Sequence, residues 1–143
     1  MINKAIIIAT VAHENQVDKA GEPYIFHPLR VMLSLKSEDE KICGVLHDVI
    51  EDTNITVEYL IKQGFSNEIT QALEALTKKE NENYDDFINR VLENELACYV
   101  KLADLNDNMD LSRIKNPREK DFKRIEKYKK AKERITQFLQ VDG

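Results

Sequence analysis

Between residues 42 and 50 the apolar side chains Ile42, Val45, Leu46, Val49 and Ile50 recur at i, i+3, i+4, i+7 and i+8. That spacing draws one buried face of an α-helix and fits no strand, whose faces alternate at every second residue. Along the same stretch run His47-Asp48 and Glu51-Asp52. His47 and Glu51 are one turn apart, as are Asp48 and Asp52, so each pair stacks on one side of the helix. Gly44 lies one turn before Asp48, where Gly is roughly 1 kcal/mol less favourable than Ala, so something is expected to approach that face closely. A solvated helix end would account for Glu51 and Asp52. It accounts less well for His47-Asp48, which lie within the turn of the apolar face itself.

The rest of the chain reads as helices joined by short polar loops. Ser37 with Glu40 is a capping box for the helix just described. Ile2 to about Gln16 forms a first helix, although Ile6-Ile7-Ile8 alone would also suit a strand. A loop from Val17 to Pro23 follows, and Pro28 opens a second helix. Thr56 caps a short helix stopped by Gly64, and Ser66 caps another ending near Thr77. Lys78 to Asn83 is a loop, followed by helices over 84–93 and 95 to about 111. Asn116-Pro117-Arg118-Glu119 starts a basic last helix, 117–139, packed through Phe122, Ile125, Ile135 and Leu139. Four Gly and three Pro in 143 residues argue against a turn-rich all-β fold. The expectation is a single all-α domain over 1–143, a compact bundle of about seven helices.

Composition narrows the setting. No run approaches about 18 apolar residues, so no membrane span is expected. The N-terminus carries no signal-peptide pattern, and Cys43 and Cys98 sit in apolar helical patterns as buried thiols of a cytoplasmic protein. Residues 113–134 hold eleven Lys/Arg against four Asp/Glu, whereas the net charge of the chain is −5. An acidic body with one basic helix makes nucleic acid an unlikely partner. Nothing in the sequence bears on oligomeric state.

Four further residues look chemical. Asp104 lies in the apolar run Lys101-Leu102-Ala103-Asp104-Leu105, and a buried carboxylate needs a cation, a metal or several donors. A salt bridge to Lys or Arg would serve equally. Asn108 is one turn on. His27 precedes Pro28 and would do as a cap or as a ligand. His13, among Ala9, Val11 and Ala12, would do as a hydrogen-bonded core or cleft residue. One His, a His-Asp pair and a distant Asp together make a two-nitrogen, two-oxygen set. Such a set suits Mn²⁺, Fe²⁺ or Mg²⁺ better than a thiolate-bound structural zinc.

In this order the residues resemble the HD superfamily of metal-dependent phosphohydrolases, whose pattern of a His, a His-Asp doublet and a later Asp on an all-α core falls on His27, His47-Asp48 and Asp104. The similarity is closer to the hydrolase domain of RelA/SpoT-type enzymes, which remove the 3′-pyrophosphate of guanosine tetra- and pentaphosphate. It rests on Ala12-His13, Gln16, Lys19 to Ile25, His27-Pro28, Gly44 to Thr53, Leu76-Thr77-Lys78, Val100 to Asp104 and Asn108-Met109. It implies His27, His47, Asp48 and Asp104 as ligands of a divalent metal, Mn²⁺ foremost, and Glu51 and Asp52 as the acid/base pair. It implies a nucleotide substrate held by Lys19 and Asn108, and His13 is placed with them. The chain would resemble small stand-alone hydrolases, without the synthetase and regulatory domains of long members. Departures fall on the substrate side. Asp18 and Asp110 stand where the family commonly has Arg, and Asp85-Asp86 fall where it often has Arg-Lys. Carboxylates there would repel a polyphosphate, with Arg90 or the last helix as replacement sources of charge. Other HD-type nucleotidases or phosphodiesterases, and a non-catalytic nucleotide sensor, are the alternatives.

Overall fold

A computed structural model describes residues 1–142, with side chains through residue 140; residue 143 of the expected unit lies outside them. Among the described residues the chain is all helical. In order come α1 (Ile2–Ala12), α2 (Phe26–Ser34), α3 (Glu38–Leu46), α4 (Val49–Asp52), α5 (Val57–Lys62), α6 (Asn67–Ala75), α7 (Tyr84–Leu92), α8 (Glu95–Asn108) and α9 (Glu119–Asp142). The β-type pairing among them is a single bridge between Val17 and Pro23. Segments beyond the expected seven come partly from a break inside one predicted helix.

The caps sit where short polar side chains precede apolar runs. Ser37 Oγ accepts from Glu40 N at 3.1 Å, Thr56 Oγ1 from Tyr59 N at 3.1 Å, and Ser66 Oγ from Ile69 N at 3.3 Å. Asn83 and Asn94 cap α7 and α8 in the same way. Asn116 does not cap α9. It takes the left-handed conformation at φ 55°, the helix starts at Glu119, and Asp121 Oδ2 accepts from Arg118 N instead.

The centre of the bundle is α3, which packs against α1, α2, α6 and α8 and buries Ile42, Cys43, Val45 and Leu46. Gly44 is what lets α2 come close. A Cβ there would stand 2.9 Å from Leu35 Cδ1 and 3.3 Å from the Met32 backbone. The close approach expected at this glycine is therefore a neighbouring helix. It draws the start of α2, with His27, toward the end of α3, with His47.

Two helix ends differ from expectation in ways that shape the site. The first helix stops at Ala12, four residues early, because His13 closes it and Asn15 turns the chain at φ 71°. Asn tolerates that conformation better than most residues. The segment after it folds back, with Tyr24 N donating to Gln16 O at 2.9 Å. The expected helix through residue 52 breaks at His47-Asp48. His47 Nδ1 donates to Gly44 O at 2.6 Å, the carbonyl that the Asp48 amide would use in an unbroken helix. A side chain inserted into the helical ladder is a usual cause of a kink.

The last helix packs against α8 and α7 through Ile125, Ala131 and Ile135. Phe122, expected in its packed stripe, is 53% exposed. Cys43 and Cys98 are both buried. Among the described residues, no helix is long and apolar enough to cross a membrane.

Candidate metal centre

Four side chains from three regions converge beneath the loop that precedes α2. His27 comes from the first turn of α2, His47 and Asp48 from the break between α3 and α4, and Asp104 from the middle of α8. His27, His47 and Asp104 are buried, and one ligand atom from each lies within 4.8 Å of the others. Asp48 joins them: its Oδ2 is 3.0 Å from His47 Nε2 and 3.7 Å from His27 Nε2. All four residues picked from the sequence as ligands are thus brought together.

Hydrogen-bond chemistry says what this cluster can hold. His47 Nδ1 faces the Gly44 carbonyl, and His27 Nδ1 faces Asp107 Oδ2 at 2.6 Å. Both partners accept only, so each Nδ1 carries a proton. A neutral ring then presents a bare lone pair at Nε2. Yet His27 Nε2 is 2.9 Å and His47 Nε2 3.1 Å from the same oxygen, Asp104 Oδ1, and His47 Nε2 also faces Asp48. Lone pairs cannot face carboxylates at that range without positive charge between them. Either both rings are imidazolium or a cation binds all four groups. Burial opposes the charged rings, but the hydrogen bonds that His27 donates to Asp104 and Asp107, and the charges of Asp48 and Asp104 on His47, raise both above the ordinary histidine range. Burial likewise works against ionised Asp104, but Lys101 and His47 hold it well below the usual carboxylate range. The donor set fits a divalent cation of borderline or hard character.

Supporting groups surround the four. Lys101 Nζ donates to Asp104 Oδ2 at 2.8 Å, so the salt bridge considered for Asp104 exists beside the cluster. Asn108 Nδ2 donates to Asp104 Oδ1 at 3.0 Å, and the Tyr24 hydroxyl donates to Asp48 Oδ2 at 2.5 Å. Asn108, expected on the nucleotide, orients Asp104.

The acid/base candidates lie at the edge of the cluster. Burial, then the charges of Asp48 and Glu51, push Asp52 up to about 6. Glu51 Oε1 accepts from Lys78 N at 2.8 Å, which ties its carboxylate to the loop after α6. His13 is buried; its Nδ1 donates to Gln16 Oε1 at 2.8 Å while Gln16 Nε2 donates to the Asp52 carbonyl, and its Nε2 has no protein partner.

Beside the cluster opens a cavity of about 450 Å³, floored by His27 and Tyr24 and lined by Lys19, Asn108, Arg113, Arg124 and Tyr128 among others. Burial and the neighbouring Arg124 lower the ammonium of Lys19, as expected where cations crowd an anion site. The last helix, one of the two sources of charge considered, brings Arg124 to the cavity wall, where Asp121 also pairs with it at 3.1 Å. Arg90 does not: it is bound to Glu82 and to the carbonyls of Glu74 and Thr77. Nor do the departing carboxylates act simply as repellents. Asp18 Oδ1 accepts from the amides of Ala20 and Glu22, and Asp110 accepts from Ser112 N and pairs with Arg113. Tyr24, Lys101, Asp107, Arg124 and Tyr128 were given no role from sequence. Tyr24 and Lys101 lie inside the quoted motifs, whereas only packing brings the other three to the site.

No protein-family model matches the chain. It is 36% identical over its whole length to a probable guanosine-3′,5′-bis(diphosphate) 3′-pyrophosphohydrolase of Mycoplasma genitalium, covering 22% of that protein. Over 76% of the chain it is 35% identical to the enzyme of that name from Aquifex aeolicus, covering 17% of it. The chain spans about a fifth of the length of these relatives. A solved structure described as a metazoan ortholog of SpoT that hydrolyzes ppGpp superposes with a TM-score of 0.73 at 18% identity, covering 99% of this chain and 95% of that one. The chain shares its all-helical fold with that protein, and with the His, His-Asp and Asp cluster this is consistent with an HD-type domain. Within that class it is similar to guanosine-3′,5′-bis(diphosphate) 3′-pyrophosphohydrolases over about a fifth of their length.

Proposed function

We propose that this chain is a divalent-metal-dependent phosphohydrolase that removes pyrophosphate from the 3′ position of guanosine 3′,5′-bis(diphosphate) or a closely related nucleotide. The observation that carries this reading is the pair of Nε2 atoms, on His27 and His47, set against Asp104 and Asp48 while each Nδ1 is held by an acceptor. His27, His47, Asp48 and Asp104 would hold the cation, with Mn²⁺ favoured by two nitrogen and two oxygen donors. When bound, such an ion polarises a phosphoryl oxygen and lowers the pKa of water.

The chain's own groups supply the rest. Asp52, raised toward neutrality, takes a proton from the attacking water, whose oxygen bonds to the phosphorus next to the ribose. The bond from that phosphorus to the 3′ oxygen breaks, pyrophosphate leaves, and the 3′ oxygen gains a proton. Glu51, fixed by the Lys78 amide, lines the same edge. Lys19 and Arg124 neutralise phosphate in the cavity, Asn108 keeps Asp104 aimed at the cluster, and His13 braces Asp52 through Gln16. We read the chain as one hydrolase unit working in the cytoplasm, where two buried cysteines stay reduced. A nucleotide panel with Mn²⁺ tests the proposal: wild type releases pyrophosphate, and His47→Ala/Asp48→Ala reduces the rate by more than about a thousandfold. Activity surviving that double change overturns it.

A further inference from the structure

Asp107 is not among the four converging ligands, yet its carboxylate ties two helices to the cluster. It lies three residues after Asp104 on α8, and Arg30 lies three residues after His27 on α2. The two helices therefore meet in two rungs. In the first, His27 Nε2 faces Asp104. In the second, Arg30 donates to Asp107 through Nε at 2.8 Å and Nη2 at 3.1 Å. Between the rungs, His27 Nδ1 donates to Asp107 Oδ2 at 2.6 Å. Arg113 adds bonds to the Asp107 carbonyl at 3.0 Å and to Oδ2 at 3.4 Å.

The partners of Asp107 named here are all donors, and the carboxylate is ionised. An ionised carboxylate only accepts. It holds a proton on His27 Nδ1 whether the ring is neutral or charged, so Nε2 is the nitrogen left for a cation. The two-pronged Arg30 contact fixes the plane of the carboxylate and with it the ring.

We propose that Asp107, locked by Arg30, is a positioning residue that sets the tautomer and direction of His27 for metal binding. This rests on reading the cluster as a metal centre. Outer groups that orient a histidine ligand typically change metal affinity tenfold to a hundredfold when removed.

Asp107→Ala removes the acceptor of His27 Nδ1 and leaves the partly exposed Arg30 to solvent. Two readouts follow: Mn²⁺ affinity by calorimetry, and the downfield ring N–H signal of His27 by NMR in the metal-free protein. The expected result is a loss of about tenfold to a hundredfold in affinity together with loss of the Nδ1–H signal, at an unchanged circular dichroism spectrum. Wild-type affinity in Asp107→Ala, or retention of that signal, overturns the proposal. Should Asp107→Ala fail to fold, Arg30→Gln takes its place. It keeps the Nδ1–H signal and lowers affinity severalfold, and unchanged affinity overturns the proposal. Wild type failing to bind Mn²⁺ counts against the metal centre itself, whereas the metal-free spectra still decide whether Asp107 governs the ring.

Discussion

The floor of the site and its rim are built by opposite rules. On the floor, His27, His47 and Asp104 are buried, and each is aimed by a helix packed against α3 or by the end of α3 itself. At the rim, Asp18, Lys19, Asp110 and Arg113 come from the loops after α1 and α8, with Arg124 added from α9. Charges on the floor act in a low dielectric, where losing one strands another. Charges at the rim are screened by water and salt, and each can be replaced from a neighbouring element. Under the proposed function, chemistry and substrate reading are therefore separable, and the rim carboxylates Asp18 and Asp110 leave the floor intact.

The sharpest way to break that contrast is at Asp104. Asp104→Ala removes the counter-charge of buried Lys101 and the acceptor shared by two histidines. We expect it to abolish metal binding and to destabilise the metal-free fold by about 3–5 kcal/mol, read by urea unfolding in chelator. A rim change is expected to move neither. Arg124→Ala should raise KM about tenfold with little change in kcat, as steady-state kinetics would show, because it deletes one charged contact to phosphate. A matching fall in kcat would instead place Arg124 on the floor.

Asp52 lies between the two regions, and its pH behaviour sharpens the boundary. Its carboxyl is raised from 3.8 to about 6. As a base it must be ionised, so kcat should rise through pH 6 and that limb should vanish in Asp52→Asn. The same shift bears on stability. The neutral form favours the fold below 3.8, and the benefit is lost as pH rises through 6. In the metal-free protein Asp52→Asn should therefore stabilise the fold above pH 6 by about 1 kcal/mol, once solvent screening is allowed for, measured as a shift in thermal midpoint. The smallest effect belongs to Phe122→Ser, expected within about 0.5 kcal/mol because that ring is exposed, in contrast to buried Ile135 on the same helix.

Much of this was written in local sequence. Ser37, Thr56 and Ser66 mark helix starts because their hydroxyls reach amides only three residues away. His27, His47, Asp48 and Asp104 stand out because ionisable groups in apolar runs need partners. Gly44 announces a close approach without saying of what. The chain break at His47-Asp48 was hidden, since the apolar spacing continues through it, and the break comes from a side-chain bond to Gly44 O. Asp18 and Asp110 looked repulsive because a sequence gives the charge of a carboxylate and not the amides around it.

What the chain's order of residues determined by itself is helicity, the main caps and the four ionisable side chains that converge, all properties of a few consecutive residues or of the cost of burying charge. Only tertiary packing decided that Asp107 of α8 takes both His27 and Arg30 of α2, and that α9 brings Arg124 to the cavity. Those partners are up to 80 residues apart, and no local rule links them. They meet because α2, α8 and α9 each bury an apolar face, and the polar side chains at the ends of those faces are carried along.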